Sequence, residues 1–205
     1  STMHQLFEYA LAYDIVQKNY AKDLEITEKV EKTGSVFTEE EIKILWENVD
    51  DQMVQYTLIL IYTGLRIGEL LAMRGDTIYL NEGYMVGGSK TEAGKDRVIP
   101  LHRKIIPLVE RNIENNYLVY SKRSGAFTYN GIRPRFEKLM AKLGMNHKIH
   151  DTRKTAVSIM HSAGIPMETI RMIVGHSAKG VTEAVYLYKE PHELVEAINT
   201  IEIPY

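Results

Sequence analysis

Between Asp76 and Leu101 the sequence leaves helical spacing and breaks into short β-prone pieces: Thr77-Ile78-Tyr79-Leu80, Tyr84-Met85-Val86 and Arg97-Val98-Ile99. Turn-forming Asn81-Glu82-Gly83, Gly87-Gly88 and Ala93-Gly94 separate them. Runs this short, divided by such turns, pair with their immediate neighbours, so a small antiparallel sheet is expected. On both sides of it the apolar residues recur at helical spacing. The chain is therefore expected to be mainly α with a small antiparallel β-sheet, an α+β fold.

Residues 2 to about 19 read as one helix, with Leu6, Tyr9, Ala10, Tyr13 and Val16 on one side. The charged, aperiodic stretch 21–36 reads as a linker, and 37–205 as the main domain with a C-terminal helix. Thr38 followed by Glu41 is a capping-box start for an amphipathic helix carrying Ile42, Leu45, Trp46 and Val49. A mostly buried helix is expected from about 52 to 62, and further helices near 103–115, 130–143, 151–163, 167–174, 180–188 and 191–200. Gly164 and Gly175 stand where helix ends need a left-handed residue, and Pro166 suits a first helical turn.

The 205 residues contain no Cys, which excludes structural disulfides, Cys-ligated zinc, iron–sulfur clusters and thiol nucleophiles. The apolar run Leu58–Ile61 is far too short to span a membrane, and no secretory or lipidation pattern is visible, so a cytoplasmic protein is expected. A net charge of −2 argues at first against a polyanionic partner. The charge is unevenly placed, however. Residues 1–84 carry 7 basic against 15 acidic side chains, residues 85–154 carry 15 against 6, and residues 155–205 carry 3 against 6. The basic middle is either a solvated face or a surface for a polyanion.

Four islands could carry chemistry. In Thr63-Gly64-Leu65-Arg66-Ile67-Gly68-Glu69 a glycine interrupts an apolar helix just before an arginine. Such an arginine is ordinarily an ion-pair residue, but a guanidinium emerging from an apolar core at a helix start also favours anion binding. Lys90, in the turn before Arg97-Val98-Ile99, is either solvated or a flexible ammonium able to enter a groove and give up a proton. His150-Asp151-Thr152-Arg153 puts a His and an Arg on one helical face. His147 lies three residues before His150, yet no third metal ligand is evident nearby. Gly175-His176-Ser177 is followed by Tyr186 and Tyr188, which nothing intrinsic marks as nucleophiles among 13 tyrosines.

Taken in order, Arg66, Lys90, His150-x-x-Arg153, Gly175-His176 and Tyr186 resemble the tyrosine recombinase (phage integrase) family, from about Phe37 to Tyr188. A Tyr ten residues after the His looks more like the integrases of conjugative transposons and phages than the Xer or Cre branch. Two positions depart from the pattern. Tyr188 stands where a His often follows the nucleophile, leaving Tyr188 as the alternative to Tyr186, and Val174 replaces the usual Leu or Met before Gly-His.

The resemblance implies the catalytic-domain fold of DNA breaking-rejoining enzymes and a site-specific recombinase of a mobile element. Tyr186 would attack the scissile phosphate to form a 3′-phosphotyrosyl bond and release a 5′-hydroxyl. Arg66 and Arg153 would clamp the non-bridging oxygens, Lys90 would protonate the leaving oxygen, and His150 and His176 would serve proton transfer and phosphate binding. Glu69 would support the site without reacting. No cofactor and no metal are implied, because the phosphotyrosine conserves bond energy. The implied partners are double-stranded DNA attachment sites, a homotetramer on DNA, and accessory DNA-bending or directionality factors, with no membrane. Residues 1–20 would be the remaining helix of a core-binding domain, and the final helix would dock either on its own domain or on a neighbouring protomer. A type IB topoisomerase and a catalytically silent DNA-binding module on the same fold are the competing readings.

Overall fold

The computed structural model describes residues 2–22, 34–88, 96–121, 125–175 and 189–203. The chain divides into two compact units, Ser1–Thr33 and Gly34–Tyr205. In the first, helix α1 spans Thr2–Ala12 and buries no residue. It stops well short of 19. Asp14 takes a left-handed φ of 52°, and the N–H of Ile15 turns back to the carbonyl of Ala10. Asp tolerates this region better than most residues, so it ends a helix whose apolar spacing continues. Asn19 then reaches Glu8 Oε1 at 2.7 Å, closing the turn onto the helix.

The second unit is built around a helix with no exposed face. In α3 (Gln52–Thr63) every residue from Val54 to Thr63 is buried, as expected of a helix apolar all round. Helix α2 (Glu39–Glu47) packs beside it and starts as its sequence requires: Glu41 N–H donates to Thr38 Oγ1 at 3.2 Å, and Thr38 N–H donates to Glu41 Oε2 at 2.8 Å. Thr38→Ala removes one half of this box and is expected to cost about 1 kcal/mol, measurable as a lowered urea midpoint with unchanged m.

After α3 come α4 (Ile67–Ala72), a short 3₁₀ turn at Gly75–Thr77, and strands β1 (Ile78–Tyr79), β2 (Tyr84–Gly87) and β3 (Arg97–Pro100). The strands form an antiparallel sheet in the order β1-β2-β3, with Met85 opposite Ile78 on one side and Ile99 on the other. Helix α5 (Ile106–Asn112) is shorter than the 103–115 expected, because the chain straightens at Ile113 and then passes through left-handed Asn115 and Asn116. A second hairpin, β4 (Tyr120–Ser121) with β5 (Gly125–Ala126), lies between the helices expected near 103–115 and 130–143, where no strand is expected from the sequence. Strands of two residues are too short to show an alternation.

Helices α6 (Tyr129–Lys142), α7 (Asp151–Ser162) and α8 (Met167–Val174) follow the expected spans closely. Gly164 and Gly175 have φ of 76° and 68°, as their positions at helix ends demand. The expected helix at 180–188 lies outside the described residues. Helix α9 (Pro191–Ile198) packs on β3 of its own domain, burying Leu194 and Ile198, with Val195 against Gly83.

The chain after α9 is tied down by His102. Its Nε2–H donates to the carbonyl of Ile201 at 3.1 Å, and its Nδ1 accepts the N–H of Lys104 at 3.2 Å, an arrangement only the neutral ring can make. Burial pulls the imidazole below its ordinary value, aided by Arg103 and Lys104, against the opposing Ile201 bond. A His held neutral in the fold gains a proton first in the unfolded chain. Its contribution to stability is therefore complete above the unfolded value near ~6.5 and is lost as pH falls through the lower folded value. Melting temperature is expected to drop on acidification through this window, and His102→Gln, which keeps a donor but does not titrate, should flatten that limb.

Candidate active-site cleft

The cleft begins with a helix end that only glycine can make. Gly64, at φ 66°, closes α3 by donating its N–H to Leu60, and a Cβ there would lie 2.9 Å from Val174 Cγ1. This tight turn lets the chain reverse at once into α4, with Arg66 at its start. Glu69, one turn on, folds back: its Oε2 accepts the backbone N–H of Arg66 at 2.8 Å, and its Oε1 accepts Arg66 Nη1 at 2.9 Å. The Arg66 side chain remains 39% exposed, whereas that of Glu69 is only 4% exposed.

Arg153 arrives from the first turn of α7 and is buried. Its Nη1 donates to the carbonyl of Gly64 at 2.6 Å and its Nη2 to the carbonyl of Val174. One guanidinium thus joins the end of α3 to the end of α8. Burial first, then the charge of Arg66, lowers Arg153 to about 10, with Glu69 pulling the other way and Arg97 adding to the fall. It remains a cation at neutral pH.

Arg66, Glu69, His150 and Arg153 line one cavity of about 680 Å³, which Leu65, Gly88, Tyr129 and Lys148 also border. His150 caps α7 from an exposed position, while His147 is buried, stacked 3.8 Å from Phe37 with Nε2 3.0 Å from Glu41 Oε2. The two histidines therefore part company: one faces the cleft, the other fastens the start of α2 to α7. Among the described residues no group of three or more His, Cys, Asp or Glu side chains could hold a metal ion. Lys90, His176 and Tyr186, together with Tyr188, lie outside the described residues.

Two features of the cleft escape the sequence reading. Arg97, expected only as the first residue of a strand, is buried and forks onto Glu69, Nη1 to Oε1 at 3.2 Å and Nη2 to Oε2 at 2.9 Å. The signal was present in the alternation: Arg97 shares the face of buried Ile99, and a charge on a strand's core face must find a partner. Tyr129, 47% exposed at the start of α6, sits on the cleft wall without any spacing to mark it. Burial tends to raise the carboxyl of Glu69, but the bonds from Arg97 and from Arg66 outweigh it and hold it below the ordinary value. The cleft wall is therefore ionised and net positive: Arg66 and Arg153 line it, and the carboxylate of Glu69 is also met from behind by buried Arg97. Such a wall suits an oxyanion that gathers charge.

Among curated relatives, the XerC-like tyrosine recombinase of Caldanaerobacter subterraneus subsp. tengcongensis is 21% identical over 95% of this chain and 62% of its own length. Tyrosine recombinase XerA of Pyrococcus horikoshii is 26% identical over 81% of this chain and 61% of its own length. The chain thus spans about three fifths of these relatives. Among solved structures, the integrase of transposon Tn1549, in complex with circular intermediate DNA, superposes with a TM-score of 0.69 at 18% identity, covering 95% of this chain and 74% of that one. That likeness shows the fold, a mainly helical domain with small antiparallel sheets. The sequence model of the Phage integrase family matches residues 35–193, a span that includes both cleft arginines, Glu69 and His150, and on that match the chain belongs to the phage integrase family.

Proposed function

We propose that this chain is the catalytic part of a site-specific DNA recombinase of a mobile element, cutting and rejoining strands through a 3′-phosphotyrosyl intermediate. The observation that carries the reading is the convergence of Arg66 and Arg153, 87 positions apart in sequence, on one cleft beside a buried, ionised Glu69. A phosphodiester under attack gathers charge on its non-bridging oxygens, and two planar donors fixed by the fold can meet that charge without a metal. Arg153 is fixed by two backbone carbonyls and Arg66 by Glu69, so little reorganisation is needed when the phosphate arrives.

In this reading Tyr186 attacks, Lys90 protonates the leaving 5′ oxygen, and His150 and His176 assist proton transfer and phosphate binding. Duplex attachment sites are the substrate, a homotetramer on DNA is the working assembly, and DNA-bending or directionality factors bias its outcome. Residues 1–20 are the end of a core-binding domain and 21–36 its linker, in a cytoplasmic protein. Support for DNA as partner comes from the Tn1549 integrase, whose structure holds circular intermediate DNA, and from the excess of basic residues in 85–154.

The test is covalent capture. Labelled duplexes, nicked beside a randomised core so that the cut strand cannot be rejoined, are incubated with the protein and resolved under denaturing conditions. A protein-linked strand enriched for a defined sequence is expected. Relaxation of supercoiled plasmid without sequence preference would instead assign a type IB topoisomerase, and salt-dependent binding with no linked strand a silent module.

A further inference from the structure

We infer that Arg97 is a positioning residue of this cleft: it neutralises Glu69 so that Arg66 keeps its positive charge for the bound phosphate. The inference rests on the recombinase reading and deepens it. Its starting point is that Glu69 is shared. Each of its oxygens accepts two bonds: Oε1 from Arg66 Nη1 and Arg97 Nη1, Oε2 from the Arg66 backbone N–H and Arg97 Nη2. The side chains of Glu69 and Arg97 are 4% and 7% exposed, while that of Arg66 is 39% exposed. The buried pair is thus a fixed, internally neutral base, and Arg66 stands at its edge facing the cleft.

Without Arg97, the carboxylate would have Arg66 as its only directly bonded cation among the described residues. Arg66 would then neutralise it, and one of the two charges aimed at the phosphate would be lost. Among the described residues, the charged groups that bear on Glu69 are Arg66 and Arg97, and Glu69 in turn acts through the field on Arg153.

Arg97 has a second attachment. Its Nε donates to the carbonyl of Ile173 at 3.0 Å, in the last turn of α8. Its guanidinium also lies so close under Gly175 that a Cβ there would meet Cδ and Nε at 3.0 Å. Arg153 holds the next carbonyl, that of Val174. Two arginines therefore secure the end of the helix from which the chain continues to His176. A lysine could supply the charge at position 97 but not the three-way fork.

The experiment uses single-turnover covalent capture on nicked duplexes with a randomised core, with thermal melting to verify folding. Arg97→Met is expected to lower the capture rate by about 10²-fold with the half-saturating DNA concentration little changed, the signature of lost transition-state stabilisation. Adding Glu69→Gln removes the uncompensated charge and is expected to restore about tenfold of the loss. In Arg97→Met alone, the rate relative to wild type should rise as pH falls, because protonating Glu69 frees Arg66.

Arg97→Met acting within threefold of wild type overturns the inference, as does a double variant no faster than Arg97→Met at any pH. If Arg97→Met does not fold, Arg97→Gln decides, since it keeps a hydrogen-bonding side chain and loses the charge. A drop of about tenfold supports the inference and an unchanged rate overturns it. Absence of capture by the wild type indicts the recombinase reading instead. The Arg66 guanidinium NMR signals of wild type and Arg97→Gln then test the positioning alone: a shift supports it, and identical signals overturn it.

Discussion

Arg153→Lys will lower the rate of covalent strand capture by about 10²–10³-fold while changing DNA binding far less, because it removes a planar donor from a site built to meet transition-state charge. A lysine retains a cation near the cleft. It cannot donate to Gly64 and Val174 while also offering N–H groups to two phosphate oxygens, because its ammonium is a point charge and not a fork. Arg153→Ala has a structural effect as well. The side chain is buried at the junction of α3, α7 and α8, and its loss strands the carbonyls of Gly64 and Val174. Losing both partners costs about 2–4 kcal/mol, or roughly 5–15 °C in melting temperature for a domain of this size. Single-turnover capture and thermal melting separate the two effects: Lys should fall mainly in the first, Ala in both.

Tyr186→Phe will abolish covalent capture and leave duplex binding intact. The substitution removes one oxygen and preserves the ring, so a loss of capture is the loss of the atom proposed to attack. A free phenol has a pKa near ~10, and an attack at neutral pH needs a cationic pocket and a base to carry the proton away. In the proposed mechanism the cleft is that pocket, with Arg66, Arg153 and His150 on its walls. Tyr188→Phe should still form the linked strand. If the two variants behave the other way round, the nucleophile is Tyr188, and the spacing from His176 has misassigned it.

Much of the scaffold is legible in the sequence because local rules and tertiary packing agree there. The capping box at Thr38 and Glu41, the helix stops at Gly164 and Gly175, and the all-buried α3 are each written in a few adjacent residues. The β1-β2-β3 sheet is legible because its turns are glycine-marked and its pairing is between sequence neighbours. What escapes the sequence has a physical reason in each case. Helix α1 ends at a left-handed Asp14 that apolar spacing cannot reveal. The β4–β5 hairpin is too short for periodicity. Arg66, His150 and Arg153 are readable as separate islands and through a family pattern, but only the fold shows that Arg153 reaches back 89 positions to the turn that presents Arg66. Arg97 escapes because a single charged residue in a strand ordinarily points to water, and the partner that draws it inward lies 28 positions earlier.

The most direct measurement is the identity of the amino acid joined to DNA. Protein captured on a nicked duplex is digested with protease and nuclease, and the nucleotide-bearing peptide is sequenced by mass spectrometry. A single linkage is expected, from the phenolic oxygen of Tyr186 to a 3′-phosphate. A linkage at Tyr188, at the cleft-lining Tyr129 or through a 5′-phosphate would contradict it, as would a protein that binds DNA and never becomes joined to it.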